Sequence, residues 1–291
     1  MKAPPFAYVR AASLADVFAL WSAAGADARL LAGGQSLLAT LAFRLSEPST
    51  LIDISRVAEL RGISSAGDGI RIGALTTHAE LGANELVRRR VALLAEAVPL
   101  IAHPAIRNRG TIGGSLAYAD PAAELPACCV ALDATIVVRG ARAERRIPAA
   151  RFFTGLYATA LGDNELIAAV EFPARKPEER SVILELARRC GDYAMAGIVA
   201  TAEISAGSLG RPKLVFFGVG ETPVAATGAM AAIAGKPATP ETVALAQAAL
   251  DADLDPPADQ HGSPQMKRHL ARVLLARALL RLTGAQEARA A

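Results

Sequence analysis

The sequence predicts an α+β fold, and three observations carry that prediction. Short β-branched or alternating apolar runs lie among helical patterns with no regular β-α-β rhythm, which argues against a doubly wound parallel sheet. Two glycine-rich turns lack both the G-x-G-x-x-G spacing of a Rossmann unit and the Gly-Lys-Ser/Thr of a Walker loop. The chain has 291 residues, 52% hydrophobic and 20% charged, enough for one large domain or two to three small ones with a buried core. Aromatic residues are only 4%, so Ala, Leu, Val and Ile must build that core. Lys and Arg number 31 and Asp and Glu 28, a net charge of +3 that is too balanced for a dedicated nucleic-acid binder.

The elements follow in order. Phe6–Arg10 reads as a short strand. Ser13 is a candidate N-cap for a helix with Leu14, Val17, Phe18 and Trp21 on one face, ended by Gly25. Arg29–Ala32 is a strand running into Gly33, and Leu37–Leu41 is a second apolar segment after the turn. Leu51–Ile54 is a strand, and Ile70–Gly73 an edge or hairpin strand. Thr76–Glu80 looks like the capped start of a short helix, and Leu86–Leu100 like a helix broken by Pro99. An irregular stretch, Ile101–Gly110, leads into Thr111–Ser115. Ala122–Leu132 is a helix candidate, with Asp120 as cap and Pro121 in its first turn. Ala134–Val138, Leu166–Phe172, Val182–Leu186, Ile198–Ile204 and Lys213–Gly220 are strands, and Glu241–Leu250 and Met266–Leu282 helices. The charged stretch Ala174–Arg180, with Pro177, is the best domain junction.

Cys128, Cys129 and Cys190 form no C-x-x-C pair, so the chain lacks the ligand set for its own zinc or iron–sulfur centre, and no metal ligands are expected. Buried small hydrophobes are the simpler reading of these cysteines. Pro4 and Pro5 follow Lys2, and Asp16 precedes the apolar stretch 17–24, which is the wrong layout for a signal peptide. No run of about 18 apolar residues occurs, so no membrane span is expected. The location these features predict is cytoplasmic.

The turns carry the chemistry. In Ala32-Gly33-Gly34-Gln35-Ser36, adjacent glycines permit positive φ, so successive backbone amides can converge into an anion-binding nest. Gly110-Thr111-Ile112-Gly113-Gly114-Ser115 offers the same chemistry further on, with hydroxyls from Thr111 and Ser115. Either alone reads as a tight turn. Two together suit a pyrophosphate held from two sides.

These motifs, with Asp120-Pro121-Ala122-Ala123-Glu124-Leu125-Pro126, Phe6-Ala7-Tyr8 and Gly191-Asp192-Tyr193-Ala194, resemble the FAD-binding medium subunit of the molybdenum hydroxylases, the xanthine dehydrogenase and carbon monoxide dehydrogenase family. The resemblance runs over nearly the whole chain. It implies a vanillyl-alcohol-oxidase-type (PCMH-type) FAD-binding domain over 1–175, in subdomains of about 1–57 and 58–175, and a C-terminal α+β domain over 176–291.

It also implies roles. Ala32, Gly33, Gly34, Gln35 and Ser36, with Thr111, Gly113, Gly114 and Ser115, match the loops that grip the FAD pyrophosphate. Ile101, Ala102 and His103, followed by Ile106, match the segment along the cofactor near the flavin. Asp120 matches an acidic contact to the adenosine portion, Leu161 an apolar contact, and Arg188 and Tyr193 a C-terminal motif near the flavin ring. Several have plain alternatives: His103 as a loop histidine, Asp120 as a cap, Tyr193 as a core aromatic. Arg107 and Arg109 are solvated, or bind partner carboxylates or cofactor phosphate. His78, His261 and His269 show no metal-ligand spacing.

The implied function is electron transfer. A small partner with two [2Fe–2S] clusters and a large partner with the molybdenum cofactor would complete a complex, expected as a dimer of heterotrimers. Electrons would pass through FAD in this chain to an external acceptor. No Cys-rich insertion for an extra cluster is present. Gln35 stands where carbon monoxide dehydrogenases tend to have His, which leans toward hydroxylation of an N-heterocycle or aldehyde, with a carbon monoxide dehydrogenase medium subunit as the alternative. A stand-alone FAD oxidoreductase of the same fold and a cofactor-free assembly protein are the rival readings.

Overall fold

The computed structural model describes residues 2–284. Its first unit comprises β1 (Ala7–Arg10), α1 (Leu14–Ala24), β2 (Ala28–Leu31), α2 (Leu37–Ala42) and β3 (Thr50–Asp53). The strands form a parallel sheet in the order β1-β3-β2. Ser13 caps α1 by accepting from the Asp16 amide, and Gly25 ends it at φ 75°. At the end of β3 the buried Asp53 carboxylate accepts from the Tyr8 hydroxyl, from Arg10 Nε at 3.2 Å and from the Ser55 amide at 2.8 Å. Burial pushes this carboxyl up, but the hydrogen bonds outweigh it and hold it below the usual range.

The second unit comprises β4 (Ile63–Ala66), β5 (Gly69–Gly73), α3 (His78–Ala83), α4 (Glu85–Arg90), α5 (Ala92–Ala97), α6 (Pro104–Arg107), α7 (Ile112–Tyr118), α8 (Glu124–Ala131), β6 (Thr135–Arg139), β7 (Glu144–Pro148), β8 (Phe153–Gly155), β9 (Ala158–Thr159) and β10 (Leu166–Phe172). An antiparallel sheet runs β4-β5-β10-β6-β7. Its central strand β10 is buried on both faces, which explains its unbroken apolar run. One face (Ile136, Val138, Val170) joins the helices in the main core, and the other (Val137, Ala169) packs with the first unit. A bulge between Ile167 and Ala169 places Ala168 and Ala169 in the same cluster as the first unit and turns the Ala168 carbonyl to the Ala74 amide, at 3.0 Å.

Two sequence expectations change here. Leu86–Leu100 is not one helix: Val91, at φ −145° and ψ 58°, separates α4 from α5, and its side chain is buried. Asp120 is not the cap of α8. The helix begins at Glu124 behind Ala123, while the Asp120 carboxylate accepts from the Ala122 amide at 2.9 Å and holds the preceding turn.

The third unit is an antiparallel meander, β11 (Glu179–Leu186), β12 (Ala196–Ser205), β13 (Ser208–Phe217) and β14 (Val224–Ala225). It is followed by α9 (Thr227–Ile233), α10 (Pro240–Asp253) and α11 (Pro264–Leu282), three helices where the sequence predicts two. Strand alternation divides its side chains. Ile198, Ala200, Leu214 and Phe216 pack with the C-terminal helices, and Val199, Val215 and Phe217 join the core of the second unit. Lys267 of α11 is buried and donates to the Gly218 carbonyl at 2.9 Å and to Asp259 at 2.5 Å, which ties down the turn Asp259–Gly262.

Gly197 faces Phe217 across the β12–β13 pair, and a Cβ there would lie 2.0–2.4 Å from the ring. Gly197→Ala is expected to displace Phe217 from the shared core and cost about 1–3 kcal/mol, read as a lower urea midpoint at unchanged m-value.

Candidate functional site

The first glycine turn is an open cradle. Between β2 and α2, the amides of Ala32, Gly33, Gly34, Gln35 and Ser36 donate to no protein acceptor among the described residues. Gly34 adopts φ +74°, and Gln35 Nε2 donates to the Gly33 carbonyl at 3.0 Å, steadying the turn. Gly33 is a glycine for steric reasons, since a Cβ would lie 2.1 Å from the Arg109 carbonyl oxygen and 3.0 Å from Gly110 Cα. The cradle is therefore pressed directly on the lead-in to the second turn.

The second turn is not the nest the sequence predicts. Thr111 is the N-cap of α7, and Gly113 and Gly114 lie in its first turn. The local amides are already engaged: Ile112 to Thr76 O at 3.0 Å, Gly113 to Ala74 O at 2.8 Å, Gly114 to Thr111 Oγ1 at 3.1 Å, and Ser115 to Thr111 O at 3.0 Å. A Cβ on Gly113 would lie 2.5 Å from Ala74 Cβ and 2.8 Å from its oxygen, so this glycine lets α7 seat on the turn after β5. The Ser115 side chain, half-buried, remains as a polar group here.

His78 supports this junction. Its amide donates to the Gly110 carbonyl at 2.9 Å, and a Cβ on Gly110 would lie 3.0 Å from the imidazole. The ring is buried with neither nitrogen hydrogen-bonded. Burial brings its pKa down to about 4, opposed by the nearby Thr111 backbone and aided to a smaller extent by the Arg107 charge.

A second neighbourhood joins the middle and C-terminal units. Ala102 has φ 41°, and a Cβ on Gly191 (φ +84°) would lie 2.9 Å from the Ala102 oxygen and from the His103 ring. Gly191 is two residues from Tyr193. The Tyr193 ring is 58% exposed, which excludes a core role, and stands 6.3 Å from His261. Tyr118 and Tyr157 lie with ring centroids 5.1 Å apart. Burial pushes the Tyr157 hydroxyl up to about 12, with the Asp120 charge adding to it. Burial raises Asp120 itself, opposed by the Ala122 amide and by His261. Glu124 is buried and pushed up to about 8, with Glu185 adding to the effect, and Glu185 is pushed by burial to about 7. Leu161 packs with Ala102 against the main core. The Ile106 carbonyl accepts from the Gly110 amide at 2.7 Å and so joins the two neighbourhoods. Arg188 donates to the Gln260 carbonyl at 2.9 Å.

Residues 4–175 match the family model of the FAD-binding domain in molybdopterin dehydrogenase, and residues 183–282 that of the CO dehydrogenase flavoprotein C-terminal domain. The chain belongs to the family of FAD-binding medium subunits of molybdenum hydroxylases. It is 38% identical to the 6-hydroxypseudooxynicotine dehydrogenase complex subunit alpha of Paenarthrobacter nicotinovorans, over 96% of this chain and 95% of that one. It is 37% identical to the carbon monoxide dehydrogenase medium chain of Hydrogenophaga pseudoflava, over 95% and 96%. Among solved structures, quinoline 2-oxidoreductase from Pseudomonas putida 86 matches with a TM-score of 0.93 at 36% identity, covering 98% of this chain and 99% of that one.

The medium-subunit fold explains which site residues pattern alone does not single out. Tyr118, Tyr157 and His261 sit in segments without a local motif. Glu124 lies inside the quoted Asp120–Pro126 motif, and its burial on α8 is a tertiary fact. The free amides of 32–36 are donors suited to a phosphate-bearing cofactor, so the cradle fits FAD. Gly33→Ala is expected to raise the FAD dissociation constant at least about tenfold, the equivalent of ~1.4 kcal/mol, measured by flavin titration of the apoprotein.

His78 gives a pH signature. Its folded pKa lies below the unfolded value, so stability is full above about 6.5 and falls as pH drops toward about 4. His78→Leu is expected to remove this component, roughly 3 kcal/mol across that window, seen as a flatter profile of denaturation midpoint against pH.

Proposed function

We propose that this medium subunit carries electrons from the [2Fe–2S] clusters of a small partner chain, through FAD, to an external acceptor. The large partner would hold the molybdenum cofactor and hydroxylate an N-heterocycle or aldehyde. The single observation that carries the reading is the run of free amides at 32–36, in a chain whose relatives are medium subunits from end to end. Gln35 supports the substrate class; relatives named for pseudooxynicotine, quinoline and carbon monoxide match at 36–38% identity, so a carbon monoxide dehydrogenase medium subunit is the alternative. The same reading gives a dimer of heterotrimers in the cytoplasm. No helix among the described residues is long and apolar enough to cross a membrane. It divides the chain at 175/176, with a boundary inside the first part near residue 57. The matched stretches 4–175 and 183–282 support the former, and residues 285–291 of the C-terminal part lie outside the described residues.

FAD, when bound, supplies the electron carrier between one-electron clusters and the acceptor. The chain's own residues bind and orient it. Ala32–Ser36 would hold the pyrophosphate by backbone amides, and Ser115 would add a hydroxyl. Thr111, Gly113 and Gly114 act one step back, by seating α7. Ile101, Ala102, His103 and Leu161 would line the flavin, with Ile106 tying their loop to the cradle. Asp120, Arg188 and Tyr193 close the neighbourhood from the second and third units. Burial pushes the Glu124 carboxyl there up to about 8, which favours its neutral form.

The test is a complex assembled with Gly33→Ala and depleted of flavin. Substrate should still bleach the iron–sulfur absorbance, while steady-state turnover with the natural acceptor collapses. Loss of bleaching in an intact, molybdenum-loaded complex would refute the order molybdenum, clusters, flavin. Stopped-flow absorbance with metal analysis makes the measurement.

A further inference from the structure

Arg107, in the single turn α6, reaches back over its own chain. Its Nη1 donates to the carbonyls of Ile101 and Ala102, both at 2.9 Å, and lies 3.4 Å from that of Pro99. Ionised donors make the stronger hydrogen bonds, and one nitrogen here gathers three carbonyls. The loop so gathered is not relaxed, because Ala102 sits at φ 41°, a conformation that a Cβ disfavours. The Ile106 and Arg107 amides donate to the His103 carbonyl at 2.9 and 3.0 Å, which closes α6 onto the same loop. On the other side, Gly191 rests on the Ala102 carbonyl and the His103 ring. Nη1 of Arg107 is thus committed to its own chain, while the residue is half-buried.

We propose that Arg107 is a positioning residue for the flavin: it folds Ile101–His103 into a strained backbone platform and sets how Gly191 and Tyr193 of the third unit meet it. This rests on the reading that the chain binds FAD with 101–103 along the flavin. The Arg107 side chain makes no hydrogen bond to the cradle at 32–36, so the two functions separate. A merely structural arginine would alter stability or flavin content, whereas a positioning one alters the flavin's surroundings while flavin stays bound.

The experiment uses the holo-complex with Arg107→Ala and Arg107→Lys. Flavin content, the visible circular dichroism of the flavin and its midpoint potential are measured, with and without added guanidinium chloride at sub-denaturing concentration. Arg107→Ala is expected to keep at least half its FAD, to show altered dichroism and a shifted potential, and to lose tenfold or more in acceptor-dependent flavin reoxidation. Guanidinium should restore all three signals toward wild type. Arg107→Lys, which folds with a charge in place but lacks the planar fork, should fall between and gain nothing from guanidinium. Unchanged dichroism and potential in either flavin-loaded variant would overturn the proposal. So would complete flavin loss in both variants without rescue. Absence of FAD from the wild-type complex would instead sink the function on which the proposal rests.

Discussion

The contact on which the site depends is backbone against backbone. Gly33 meets the Arg109 carbonyl and Gly110 with no room for a methyl group between them. This fixes the open amides of the first unit against the second without a side chain intervening. A side-chain contact has rotamers and can relax. Two main chains in contact have little freedom, so the donor array stays ordered before any cofactor arrives.

That contact is held from behind by a second chain of main-chain interactions. The bulge in β10 turns the Ala168 carbonyl to the Ala74 amide, the Ala74 carbonyl takes the Gly113 amide, and the Gly110 carbonyl takes that of His78. The central strand of the sheet is thereby linked to the helix that carries Thr111 and Ser115. The third unit enters through Gly191 on Ala102 and through the Gly218 amide on the Pro121 carbonyl at 2.8 Å. Lys267 keeps the His261 turn in reach of Tyr193. Its ammonium is buried while Asp259 stays exposed, so the Gly218 carbonyl and this one carboxylate together compensate the buried charge.

Much of this was legible in the sequence. Ser13 and Gly25 bound α1, the strand expected at Ile198–Ile204 lies inside β12, and the amides of the Ala32–Ser36 turn donate to no protein acceptor among the described residues. What escaped had physical reasons. β4 and β7 are short, polar-faced strands whose pairing comes from the neighbouring strand. Val91 breaks a helix because burial of its side chain overrides the local pattern. Gly113 and Gly114 look like the first turn but belong to a helix, a difference set by Ala74, 39 residues before Gly113. Tyr157 and His261 come together with Asp120 and Tyr193 only through tertiary approach.

The tight seat of Gly113 on Ala74 also bears on how such a chain can drift over generations. The glycine is demanded by the protein's own backbone, so a descendant that had abandoned flavin would still be obliged to keep it. The open amides of 32–36 carry no comparable internal obligation at Gln35 or Ser36. Gly33 shares that obligation through the Arg109 carbonyl, so loss of the cofactor would leave its earliest trace beside the glycines of the first signature and not at them.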